Sequence, residues 1–134
     1  LLSLHGKTIT DETVGPFKNC KSLTILALVG TSVGDAGMTH FKDCKSLASL
    51  ELGNTNVGDA GLAHFKNCTN LTTLSLYQTT VSDASVAWIC GLSKLKNLRI
   101  DATKMTPTGI ETLRKALPGC RIVHHGGTIE PTMK

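Results

Sequence analysis

The sequence predicts an α/β solenoid, a right-handed superhelix of β-α units with a parallel sheet on its concave face and short helices on its convex face. Three observations predict it. Leu23, Leu47, Leu71 and Leu95 recur at a constant interval of 24 residues. Two further columns keep the same register: Leu2, Leu26, Leu50, Leu74, Leu98 and Ile122, then Leu4, Leu28, Leu52, Leu76 and Ile100. Hydrophobic residues make up 40% of the chain and aromatic residues only 4%, so the core is assembled from many equivalent aliphatic side chains. At 134 residues the chain supports one cored domain. That domain is expected over 1–125, as about five 24-residue units and a terminal edge strand, with a C-terminal tail over 126–134.

Each unit begins with a stretch such as LTILALVGTSV, LASLELGNTNV, LTTLSLYQTTV or LKNLRIDATKM, in which apolar residues alternate as they do along a strand. The second half reads DAGMTHFKDC, DAGLAHFKNC and DASVAWICGL, and it sets Met38 and Phe41, or Leu62 and Phe65, three residues apart on one face of a short helix. Asp11, Asp35, Asp59 and Asp83 stand at the helix starts, where a carboxylate accepts from the unpaired first-turn N–H groups. The fifth unit starts its helix with Thr106 and Pro107, a capping hydroxyl followed by proline at the first helical position. After Pro118-Gly119 no further helix follows, and Arg121 to His125 is expected to be the last edge strand. There Arg121, His124 and His125 make the edge polar and discourage strand addition. The N-terminal edge has no such protection.

The pattern LxxLxLxxT, the 24-residue period and the DxGLxxF helix together resemble the leucine-rich repeat family, and within it the ribonuclease-inhibitor-like, cysteine-containing branch. The resemblance covers about residues 1–125. Thr31, Thr55, Thr79 and Thr103 stand where the family usually carries Asn or Cys, a variant similar to repeats of large bacterial multidomain proteins, some with Ser/Thr kinase domains. What this resemblance implies is an accessory domain.

No group of residues departs from the repeat to build a catalytic site. Cys20, Cys44 and Cys68 recur at the repeat interval just after the helix and read as a column of buried thiols. Successive members are expected to lie too far apart for disulfides, which points to a reducing compartment and a cytoplasmic location. His40 with Cys44, and His64 with Cys68, have ligand types that zinc accepts, but inward-facing Phe41 and Phe65 send both histidines toward solvent. His5, His124 and His125 lie at or near the ends and lack an oriented nucleophile–base pair. Glycines such as those in Val57-Gly58-Asp59-Ala60-Gly61 match no phosphate-binding loop and serve the turn into the helix. The net charge of +4 and the stripe formed by Lys18, Lys42, Lys66 and Arg114, with Lys21 and Lys45 nearby, permit anionic contacts. Without interleaved aromatics, however, nucleic-acid binding is not expected. No apolar run approaches the ~20 residues of a membrane span.

The residues between the inward leucines are expected to face out along the concave side. One column is Ser3, Ala27, Glu51, Ser75, Arg99 and Val123, the next His5, Val29, Gly53, Tyr77, Asp101 and His125, flanked by Ile25, Ser49, Thr73 and Asn97. These columns vary while the leucine columns do not, as a recognition surface would. Glu51, Asn54, Ser75, Tyr77, Arg99 and Asp101 are the candidate partner-binding residues, with Tyr77 the anchor. Trp88, which replaces the His of earlier units, is expected either to fill a gap in the core or to mark a convex contact.

The sequence thus points to a non-catalytic module that binds a protein partner through its concave face, without cofactor or metal, and that self-associates through its uncapped N-terminal edge. The alternative is a structural or regulatory arm of a larger bacterial enzyme, such as a Ser/Thr kinase, with no dedicated ligand.

Overall fold

The alternating leucines become short strands at the repeat interval. In the computed structural model, which describes residues 1–132, these are β1 (Leu2–Ser3), β2 (Ile25–Ala27), β3 (Ser49–Glu51), β4 (Thr73–Ser75), β5 (Asn97–Arg99) and β6 (Arg121–His124). They pair in parallel and in sequence order, and the register follows the period: Leu2 opposes Leu26, Leu26 opposes Leu50, Leu50 opposes Leu74, Leu74 opposes Leu98 and Leu98 opposes Ile122. A one-residue slip would turn every leucine out of the core, so the buried column fixes this register.

The helical halves are α1 (Asp11–Val14), α2 (Asp35–Met38), α3 (Asp59–Leu62), α4 (Val86–Cys90) and α5 (Pro107–Ala116). The first three run on into a 3-10 turn that ends at Phe17, Phe41 or Phe65, and α4 is preceded by one at Asp83–Ser85. Their apolar side chains meet the strand leucines in one continuous core in which Met38, Phe41, Leu47, Leu50, Leu52, Phe65, Leu71 and Leu74 are fully buried. Ile89 and Leu113 continue the phenylalanine column with aliphatic side chains.

The threonine that follows each strand closes the turn. Thr31 donates its hydroxyl to the Leu28 carbonyl at 2.8 Å, Thr55 to Leu52 and Thr79 to Leu76 at 2.6 Å, and Thr103 to Ile100 at 2.8 Å. Thr31, Thr55 and Thr79 are buried, so these bonds keep their hydroxyls satisfied away from water.

The aspartates cap the helix of the next unit, not their own as expected. Asp11 Oδ1 accepts from the Gly34 and Gly37 amides at 2.7 and 3.0 Å, and Asp35 Oδ1 accepts from Gly58 and Gly61 at the same distances. Each aspartate is the first residue of its own helix and looks along the stack, so the carboxylate meets the unpaired N–H groups one unit on. Gly37 and Gly61 leave the room: a Cβ on them would come within 2.6 and 2.5 Å of the carboxylate oxygen. In the fourth unit Ser85 occupies that place and donates its hydroxyl to Asp59 at 2.6 Å. Thr106 caps α5 as expected, accepting from the Gly109 amide at 3.3 Å. The first helix closes with its own Thr10–Thr13 box.

The expected edge at 121–125 is also corrected. β6 is covered by an antiparallel strand, β7 (Gly127–Ile129), with Ile122 opposite Ile129, and β7 forms the edge of a seven-stranded sheet. Gly127 takes φ +132° at the reversal, which a side chain would resist. At the other edge, among the described residues, β1 pairs with β2 alone, and Leu1 is 78% exposed.

A further column lies just after the strands, where Gly6, Gly30, Asn54, Gln78 and Ala102 all adopt positive φ. At φ 56° Ala102 bears a Cβ penalty that glycine avoids. Ala102→Gly should therefore stabilise the chain by about 0.5–1 kcal/mol, the strain relieved outweighing the looser unfolded chain, as read by urea unfolding. A loss of stability would show that the Ala102 methyl packs better than its backbone suffers.

Candidate functional site

The outward side chains of β3 to β6, with residues of the turns after β2 and β4, enclose a shallow groove on the sheet face. Its volume is about 370 Å³, and Glu51, Ser75, Tyr77, Arg99, Arg121 and Val123 are among the residues that line it. Four of the candidate residues, Glu51, Ser75, Tyr77 and Arg99, are thus brought together. Asn54 and Asp101 do not line this groove. Asn54 is the left-handed residue of its turn, its amide bonded to the Tyr77 carbonyl at 2.8 Å.

Tyr77 lies flat across Gly53, whose missing side chain makes the space; any Cβ there would collide with the ring. Gly53 is therefore buried rather than displayed, and Ala27 in the neighbouring column is only 8% exposed. Arg99 stacks on the other face of the ring, its guanidinium carbon 4.0 Å from the centroid. Asp101 fixes that guanidinium by two bonds, Nε to Oδ1 at 2.8 Å and a terminal nitrogen to Oδ2 at 3.2 Å. The Asp101 hydrogen bond also raises the Arg99 pKa, so the stack carries a permanent positive charge next to a carboxylate. Arg121, on the far side of the groove, pairs with Glu130 at 3.3 Å. Sequence reasoning did not include Arg121, Val123 or Val29 among the candidates, although the outward columns held the two valines.

The cysteine column forms a relay of its own. Cys68 Sγ donates to the Cys44 carbonyl at 3.3 Å, and Cys44 Sγ to the Cys20 carbonyl at 3.4 Å. Cys20, at the end of the stack, is half-buried rather than buried as expected. Burial, then the neighbouring Cys44 thiol, push the Cys68 pKa to about 11, and burial alone pushes Cys120 to about 11. Both are therefore neutral thiols at pH 7 and poor nucleophiles. His40 and His64 are half-buried rather than turned fully to solvent, and His40 reaches over Gly15 of the preceding unit. Trp88 is half-buried against the core, with its indole N–H enclosed and unbonded among the described residues. Among those residues, no helix is long and apolar enough to cross a membrane.

Comparison with known proteins agrees with the repeat. A family model described as the BspA-type leucine-rich repeat region matches six copies over residues 7–109. No curated protein matches the chain significantly. Among solved structures, an internalin (InlF) of Listeria monocytogenes superposes with a TM-score of 0.69 at 19% identity, over 81% of this chain and 30% of its own. Internalin C2 of the same organism gives 0.49 at 18% identity, over 88% and 66%. The chain spans under a third of the length of InlF, and at this identity the likeness is one of fold.

Proposed function

The chain belongs to the BspA-type leucine-rich repeat family, and from that premise we propose that it is a non-catalytic protein-interaction module whose strand face docks a protein partner. Leucine-rich repeat domains typically bind proteins. The observation that carries the reading is the groove itself: a scaffold that repeats in every leucine column opens a cleft at the columns that vary, with one aromatic anchor and two arginines in its lining. An aromatic ring already held flat by Gly53 and Arg99 loses little conformational freedom on binding, which is what an interface anchor needs.

The second reading, an arm of a larger multidomain enzyme with no dedicated ligand, draws on the same stack. Asp101 already satisfies the Arg99 fork and Tyr77 already covers Gly53, so the surface is complete without a partner. The column of carbonyl-bonded thiols supports a reducing, cytoplasmic setting and a place near the cysteine-containing branch of the repeats.

A double variant separates the two readings. With Tyr77→Ala and Arg99→Ala, a partner identified by affinity capture on the intact chain should bind at least about tenfold more weakly, with the melting temperature as the folding control. A folded variant that captures the same partner with the same affinity would leave the arm reading.

A further inference from the structure

The fold places its capping aspartates and a line of lysines along opposite long edges. At the helix-start edge the carboxylates of Asp11, Asp35 and Asp59 are taken up in capping the next unit. At the helix-end edge Lys18, Lys42 and Lys66 stand one per unit, each at the C-cap of its 3-10 turn. Lys21 and Lys45 repeat three residues further on, beyond the helix, and Lys94 extends the line by donating to Asn70 of the unit before at 2.7 Å. All six are exposed, and none has a carboxylate within ion-pairing distance among the described residues. Asp43 stands among them without forming such a pair.

We propose that this edge is a docking surface for a linear anionic polysaccharide bearing sulfate or carboxylate groups. The lysines form a line rather than a plane. They recur once per unit along the stack, so a flexible chain of closely spaced charges can meet several at once. Between the first two rungs lies a depression of about 350 Å³ walled by Lys18, Lys21 and Lys42, by the polar side chains of Asn19, Thr39 and His40, and by Asp43, so three cations face one carboxylate around a seat for an anionic group and its hydroxyl neighbours. The helix dipole accounts for a cation at a C-cap, whereas Lys21 and Lys45 lie past the helix end and outside its reach. Sugar chemistry is favoured over nucleic acid because Asn19, Thr39 and His40 line the depression as hydrogen-bond partners for hydroxyls, and no aromatic side chain lines it to stack a base.

The test is titration of the intact chain with heparin, a sulfated linear polysaccharide, and with duplex DNA, at several salt concentrations. Heparin is expected to bind more tightly than DNA and to weaken as salt rises. Lys18→Gln with Lys42→Gln should lower heparin affinity by at least about tenfold, and Lys18→Arg with Lys42→Arg should retain it. The comparison is Lys7→Gln with Lys104→Gln, which makes the same charge change at the opposite edge and should cost far less. Equal losses in the two glutamine pairs would reduce the effect to net charge and overturn the site. No heparin binding would overturn it as well, and tighter binding of DNA would assign the edge to nucleic acid instead. Because Tyr77 and Arg99 are untouched, either result leaves the strand-face reading standing or falling on its own.

Discussion

Leu74→Ala should lower the unfolding free energy by about 2–5 kcal/mol, the range for truncating a leucine in a tightly packed core. Leu74 is fully buried and is held between Leu50 and Leu98 by strand pairing on both sides. The neighbouring strands are pinned by their own hydrogen bonds, so they collapse little into the space that the lost side chain leaves. In a solenoid each unit contacts only its neighbours, so the cost depends on having one on each side. Leu2 occupies the same column in the first strand, is half-buried, and among the described residues pairs with Leu26 alone. Leu2→Ala should accordingly cost roughly 1 kcal/mol. Urea unfolding of both variants measures this gradient. Equal losses at the two positions would show that the edge strand is as tightly enclosed as the centre, and no loss at Leu74 would contradict the register itself.

The period was legible because a buried column tolerates only one kind of side chain, and every strand and its register followed from it. Less legible was anything that depends on how units stack. An aspartate at a helix start says that it caps a helix, but not which one; that the recipient lies one unit on depends on the tilt of the stack. The signal was present in Gly34 and Gly58, which have no side chain with which to cap, and in Gly37 and Gly61, which only a close approach requires. The strand at Gly127–Ile129 carries no leucine pattern, and only its paired glycines hinted at a reversal. The left-handed column was hidden because Gln78 and Ala102 adopt the conformation that Gly6, Gly30 and Asn54 advertise. At the candidate site, the variable outward columns placed Tyr77 and Arg99 on the same face of neighbouring strands. That they stack on each other over a glycine, with Asp101 closing the fork, is a contact across three strands that no single repeat reveals.

Asp59→Ala should cost about 2 kcal/mol at neutral pH, through the loss of charge-assisted bonds that join two units. Asp59 Oδ1 accepts from the Ser82 amide at 3.0 Å and from the Ser85 hydroxyl at 2.6 Å, while Oδ2 accepts from the Ser82 hydroxyl at 2.6 Å. Ser85 is only 5% exposed, so without the carboxylate its hydroxyl loses its partner where water reaches it poorly. Ser82 is half-buried and recovers part of its loss from solvent, which keeps the cost well below that of a sealed network. The same bonds set the pH dependence. Burial pulls the Asp59 carboxyl upward, but the Ser82 and Ser85 hydrogen bonds outweigh it and hold the folded-state pKa below the ordinary value. A depressed carboxyl contributes stability that is present in full above the unfolded value of about 3.9 and is lost as pH falls through the folded one. The gap between the parent chain and Asp59→Asn, which keeps the shape and removes the charge, should therefore narrow as pH drops below about 4. Unfolding curves across that range decide it: a gap of constant size from neutral to strongly acidic pH would mean that Asp59 acts by packing, and that the charge on the ladder contributes nothing to joining the units.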